Sequence, residues 1–231
     1  MRKPNLSNSM TQQETIWGWF YLIVQLFVLP TLLQFANTML SWKLTASELR
    51  FTLYLVNFLT VLWIFRNYLG KNMDQLHQHP AYFFQAVILG LVAYSACGFA
   101  LEWVMRLFFP NFSNAGESSI AALAKNGYYL TFVGTVILVP LAEESFYRGL
   151  IFRGLYGKSP WAAYIISIAV FAAAHILEHI GSYSILQLAL TFLRYLPAGL
   201  CLAWAYAKSD SLFAPVLIRA LINAYTVSKL R

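Results

Sequence analysis

VPLAEESFYRGLIFRG, residues 139–154, decides how the chain is read. The stretch is apolar enough for a bilayer, yet it holds Glu143, Glu144 and Arg148. Arg148 follows Glu144 by four residues, so on a helix the two share a face and can pair. Pro140 either kinks that helix or opens its N-terminal turn. Ionisable groups at membrane depth are costly, pair with one another and mark function by default.

The rest of the chain fits the same setting. Its 231 residues suit one domain, and they are 59% hydrophobic, 17% aromatic and 11% charged. A soluble domain carries roughly 25% charged residues. A soluble fold would struggle to cover so much apolar surface, whereas a polytopic membrane protein leaves it in lipid. The net charge of +7 does not indicate nucleic acid, because the basic residues are scattered and mostly flank apolar runs, as membrane anchors do. They divide almost evenly between alternate loops and set no orientation. Cys97 and Cys201 fall inside apolar segments, and no secreted cysteine framework is present.

The pattern predicts an all-α transmembrane bundle of seven to eight spans. Residues 1–15 read as a short polar arm. Spans are expected over 16–41, kinked at Pro30, then over 48–69 from a Ser47 cap, and over 81–107. The polar stretch GKNMDQLHQHP, 70–80, reads as a solvated loop. Glu102 and Arg106 make an i, i+4 pair at the headgroups, and 108–118 is a loop. The apolar run 119–156 is expected to split at Pro140. Further spans follow over 161–177, 183–207 and 211–227. Arg194 reads as an inward-facing or snorkelling residue. The first run is longer than a signal-peptide core of about 7–15 residues and lacks an A-x-A site, so it reads as an uncleaved span. Two regions result: 1–118, the arm and first three spans, and 119–231, the core that carries the chemistry.

The later spans hold four polar features: Glu143, Glu144 and Arg148; His175 with Phe171 one turn earlier; Glu178 with His179; and Arg219 with Asn223 one turn later. A carboxylate and an imidazole brought together from different helices make a water-activating pair. Amide hydrolysis also needs donors for the developing oxyanion, which Asn or Arg can supply.

EESFYR (143–148), FAAAH (171–175) and SLFAPVLIRALIN (211–223) together resemble the CPBP family over residues 119–226. These are membrane-embedded glutamate-dependent proteases that include type II CAAX prenyl endopeptidases and Abi-like bacteriocin-processing or self-immunity proteins. The resemblance implies Glu143 as general base, His175 sharing the water or its proton, and Glu144 with Arg148 as a supporting ion pair. It implies Asn223 as oxyanion donor. Arg219 stands where the family usually has His. It serves as a charged oxyanion donor, acts on Glu143, or marks a member that has lost proteolysis. The implied partners are the bilayer and a peptide or protein substrate, lipidated or a leader peptide, without nucleic acid. The implied location is a bacterial cell membrane.

Three other readings stay open. HILEH, 175–179, is the H-x-x-E-H zinc pattern, with His175 and His179 on one helical face. Zinc would then be the cofactor, with His175, His179 and Glu143 as ligands; the CPBP reading expects none. A non-catalytic scaffold or bacteriocin self-immunity protein would use the same cluster structurally. A transporter would use it as an ion site, although paired repeats with interrupted helices are missing.

Overall fold

The computed structural model describes residue 6 and residues 9–231. Arg2, Lys3 and the other residues of the expected arm at 1–5 and 7–8 lie outside the described residues. The chain is all-α, as its pattern predicts, with no β-sheet among the described residues. In chain order the helices are α1 Gln12–Met39, α2 Ala46–Ile64, α3 Arg66–Gln78, α4 Pro80–Phe108, α5 Ala115–Tyr156, α6 Pro160–Leu177, α7 Ile185–Ser209 and α8 Phe213–Ser228. Six of them, α1, α2 and α4 to α7, are long and apolar enough to cross a membrane. The shorter apolar α8 and the 42 residues of α5 make the expected count of seven to eight an approximate one. At 1.5 Å per residue α5 is about 63 Å long, twice the ~30 Å hydrocarbon core.

Several boundaries depart from expectation for local reasons. Helix α1 begins inside the expected arm, because Thr11 and Glu14 form a reciprocal capping box that satisfies the first free N–H groups. Thr45, not Ser47, caps α2, again through a box with Glu48. The Ser47 hydroxyl instead donates to the Leu123 carbonyl of α5 at 2.8 Å. The expected loop at 70–80 is helical to Gln78. The side-chain amide of Asn72 donates to the Tyr68 carbonyl and its oxygen accepts the N–H of Leu212, which ties the polar helix to the start of α8. Tyr68 Oη lies 2.8 Å from Tyr206 Oη, and burial holds the Tyr68 phenol well above its usual pKa.

Pro140 does not split α5. The helix runs through it and bends at Gly127, whose φ of −166° and ψ of 64° leave the helical region. A π-helical turn, Gly134–Leu138, precedes the proline. Pro30 of α1 likewise follows a π-helical turn, Val24–Val28. A proline ring would meet the carbonyl four residues back in an ideal α-helix, and the wider register of a π turn relieves that clash. The third π-helical segment, Ser145–Phe152, is buried throughout.

That segment is the centre of the core. Phe146 packs on Phe65 and Tyr21, with ring centroids 5.5 and 6.2 Å away. Phe152 meets Tyr164 and Tyr206 at 4.9 and 5.8 Å. Gly18 lets α1 close on this layer, since a Cβ there would stand 2.8 Å from the Phe65 ring. Helices α5 to α8 thereby hold their polar residues at fixed depth around one cavity.

Candidate active site

Glu143 and Glu144 are adjacent on α5, so their side chains diverge by about 100° around the helix. Arg219 of α8 spans both. Its Nη2 donates to Glu143 Oε2 at 2.5 Å and its Nη1 donates to Glu144 Oε1 at 3.0 Å. Arg148, one turn after Glu144, places Nε 3.2 Å from Glu144 Oε2, with both side chains fully buried. Its Nη2 donates to the Gly199 carbonyl of α7. Two carboxylates and two guanidinium groups thus balance to zero charge. Removing two opposite charges from water is tolerable only with such pairing. The guanidinium carbons of Arg148 and Arg219 lie 4.8 and 5.0 Å from the centre of the Phe171 ring, where the ring quadrupole attracts cations.

His175 completes the group from α6. Its Nε2 lies 3.6 Å from Glu143 Oε2 and 2.8 Å from Arg219 Nη2. Its Nδ1 lies 2.8 Å from the Phe171 carbonyl. A carbonyl only accepts, which assigns the proton to Nδ1 and leaves the Nε2 lone pair to accept from Arg219. Phe171 and Tyr195 hold the imidazole between ring centroids 4.4 and 4.3 Å away. The structure therefore gathers Glu143, Glu144, Arg148, His175 and Arg219 into one cluster.

Asn223 lines the same cavity, but its amide donates to the Thr135 carbonyl at 2.8 Å. In the π register of that turn, the partner of the Thr135 carbonyl would be the N–H of residue 140. Pro140 has none. Asn223 supplies the missing donor, and a buried carbonyl needs one.

The cluster opens on a chamber of about 1090 Å³. Glu143 and His175 keep 27% and 16% of their side-chain surface exposed. Glu143 Oε1 accepts no hydrogen bond from any described residue. Arg219 has five N–H donors; three are spent on Glu143, Glu144 and His175, which leaves Nε and one proton of Nη1.

The zinc set His175, His179 and Glu143 does not fit a metal here. A guanidinium sits against the lone pair of His175 that would bind the ion. Among the described residues no three His, Cys, Asp or Glu side chains gather as a metal site. His179 instead lies beside Glu178, Nε2 to Oε1 3.8 Å.

Sequence reasoning missed Arg50. It comes from α2 and pairs with Glu178 at 2.5 Å on the chamber wall. Only its place inside an apolar span signalled a role. Arg194 is bound inward, through the Gly98 carbonyl at 3.0 Å and Glu102 at 3.3 Å.

No curated protein and no solved structure matches the chain. One protein family does. Its model is described as type II CAAX prenyl endopeptidase Rce1-like, and it matches residues 125–225. That segment, which holds the whole cluster from Glu143 to Asn223, is similar to the Rce1-like, CPBP-type family.

Proposed function

We propose that the chain is a membrane-embedded endopeptidase that hydrolyses a peptide bond with water activated by Glu143. The observation that carries this is the 3.6 Å approach of Glu143 to His175 on the wall of an open chamber. Glu143 Oε2 is held by Arg219, so the water binds at the unspent Oε1. Glu143 takes a proton as the water oxygen attacks the substrate carbonyl carbon. The remaining N–H groups of Arg219 stabilise the oxyanion, in the part usually taken by preorganised amides. The proton then passes to the leaving nitrogen, from Glu143 directly or through His175, and the C–N bond breaks. Glu144 and Arg148 keep Arg219 and Glu143 in place. No step runs through a metal. The substrate is a peptide presented at a bilayer, with a lipidated chain or a leader peptide as the two candidates, and the setting is a bacterial cell membrane.

Purified Glu143→Ala and His175→Ala variants test this with a peptidase assay in detergent or liposomes. General-base catalysis contributes about 10²–10⁴-fold, so each variant is expected to lose activity on that scale. An active parent indifferent to either change rules the mechanism out.

One observation favours a second reading. Arg219 Nη2 touches both Glu143 and His175, filling the direct path between them. A non-catalytic scaffold or self-immunity protein would keep such a locked ion cluster for structure alone. Glu143→Gln preserves the shape and removes the base. Full rescue of a deletion phenotype by that variant would favour the scaffold.

A further inference from the structure

A tyrosine hydroxyl stands unspent one turn from Glu143. Tyr147 follows Glu143 by four residues on α5, so the two share a face. It belongs to the buried π-helical segment Ser145–Phe152, and π turns recur at functional sites. The residue is 2% exposed and lines the chamber. Its hydroxyl makes no hydrogen bond to any described residue and is still reached from the chamber. Among the charges around the phenol, Glu143 acts on it most strongly, ahead of Arg219, Glu144 and Arg148.

The ring behind that hydroxyl is fixed. It meets the Phe171 ring edge-on, with centroids 5.3 Å apart, and lies 6.5 Å from the His175 ring. The guanidinium carbon of Arg148 stands 5.9 Å from its centre. The Tyr147 carbonyl accepts the Ser167 hydroxyl of α6 at 2.9 Å, which anchors the backbone beneath it. Two other chamber tyrosines point elsewhere. The Tyr195 hydroxyl is directed at Gly116. The Tyr54 ring rests on Gly134, nine residues before Glu143 and so about 13 Å away along α5.

Resting on the peptidase reading, we propose that the Tyr147 hydroxyl is a catalytic donor to the substrate carbonyl oxygen as that oxygen becomes an oxyanion. The site is short of such donors, because Asn223 has turned its amide to the Thr135 carbonyl. Arg219 offers N–H groups from α8, and Tyr147 offers an O–H from α5. Cβ atoms one turn apart on a helix are about 5–6 Å from each other, which leaves room for a tetrahedral carbon between carboxylate and phenol. The attacking water gives its proton to Glu143, its oxygen bonds to the carbonyl carbon, and the carbonyl π pair moves to the oxygen that Tyr147 holds. Tyr147 keeps its own proton, and no covalent bond to it forms or breaks. A neutral phenol adds no charge to a cluster whose carboxylates and guanidinium groups already balance. A donor fixed before the reaction needs no reorientation as charge develops.

The experiment compares Tyr147→Phe with the parent, as full chains in detergent, on a fluorescent prenylated peptide ending in the C-a-a-X pattern. A second probe is the same peptide with a phosphinate in place of the scissile bond, whose anionic tetrahedral centre mimics the oxyanion. Phe keeps the ring and its packing, so the thermal transition should stay where it is. Loss of one oxyanion donor lowers kcat by about 10²-fold, with KM little changed. Affinity for the phosphinate should fall with kcat, while affinity for the uncleaved peptide, measured in the Glu143→Ala chain with and without Tyr147→Phe, should not. Tyr54→Phe removes another chamber hydroxyl and should leave kcat near the parent's. Equal losses from the two Phe variants, or a Tyr147→Phe loss confined to KM, overturn the assignment. A Tyr147→Phe chain as active as the parent, where Glu143→Ala is dead, overturns it and leaves the peptidase reading standing. A parent that neither cleaves the peptide nor binds the phosphinate sinks both.

Discussion

Glu144–Arg148 and Glu102–Arg106 have the same i, i+4 spacing on apolar helices. The first pair is at 3.2 Å with no exposed surface on either side chain, and the second at 2.6 Å with 41% and 76% exposed. Distance ranks them one way and surroundings rank them the other. A surface pair trades one set of water contacts for another and contributes about 0–1 kcal/mol. A buried pair stays favourable only while both charges remain, because either one left alone faces a desolvation penalty of several kcal/mol. The same sequence spacing therefore marks a fixed buried frame in one place and an incidental contact in the other.

The comparison breaks most decisively at Arg148. Arg148→Met strips Glu144 of its partner on α5 and frees the Gly199 carbonyl. A loss of about 3–5 kcal/mol in stability is expected, read as a drop in the thermal transition of the purified protein in detergent. Replacing Glu144 by Gln in the same chain should recover much of that loss, since the uncompensated charge is gone; additive losses would show that packing, not charge, holds the site. Asn223→Ala is expected to cost less, about 1–3 kcal/mol, because it uncovers one carbonyl, that of Thr135. Placing Ala at 140 in the Asn223→Ala chain restores an N–H and should recover part of that stability. A stability loss without recovery, together with a fall in kcat alone, would instead assign Asn223 to the oxyanion. Arg106→Ala sharpens the contrast from the other end, with a change within about 1 kcal/mol and unaltered activity.

Much of the outline was legible from residue patterns. The apolar runs gave the spans to within a few residues, because a bilayer demands about 20 apolar residues from any crossing helix. The capping boxes at Thr11 and Thr45 were present in sequence, as Thr-x-x-Glu, yet the boundaries were drawn by hydropathy and missed them. Pro140 misled more seriously. A proline predicts a break only if the helix keeps its α register, and the preceding π turn removes that condition. No hydropathy pattern reports a π turn.

The chemistry divides in the same way. Residue identities alone named Glu143, Glu144, Arg148, His175, Arg219 and Asn223, since a charged or amide side chain in an apolar span must find a partner. Which partner it finds is a question of three-dimensional approach. Packing of α8 against α5 and α6 placed one guanidinium on two carboxylates and an imidazole at once, and sent Asn223 to a carbonyl that a proline had left bare. It also brought Arg50 from 125 residues upstream to His175's end of α6. Hydrophobic spacing acts along a helix and is written in order; electrostatic pairing acts across helices, and only their docking decides it.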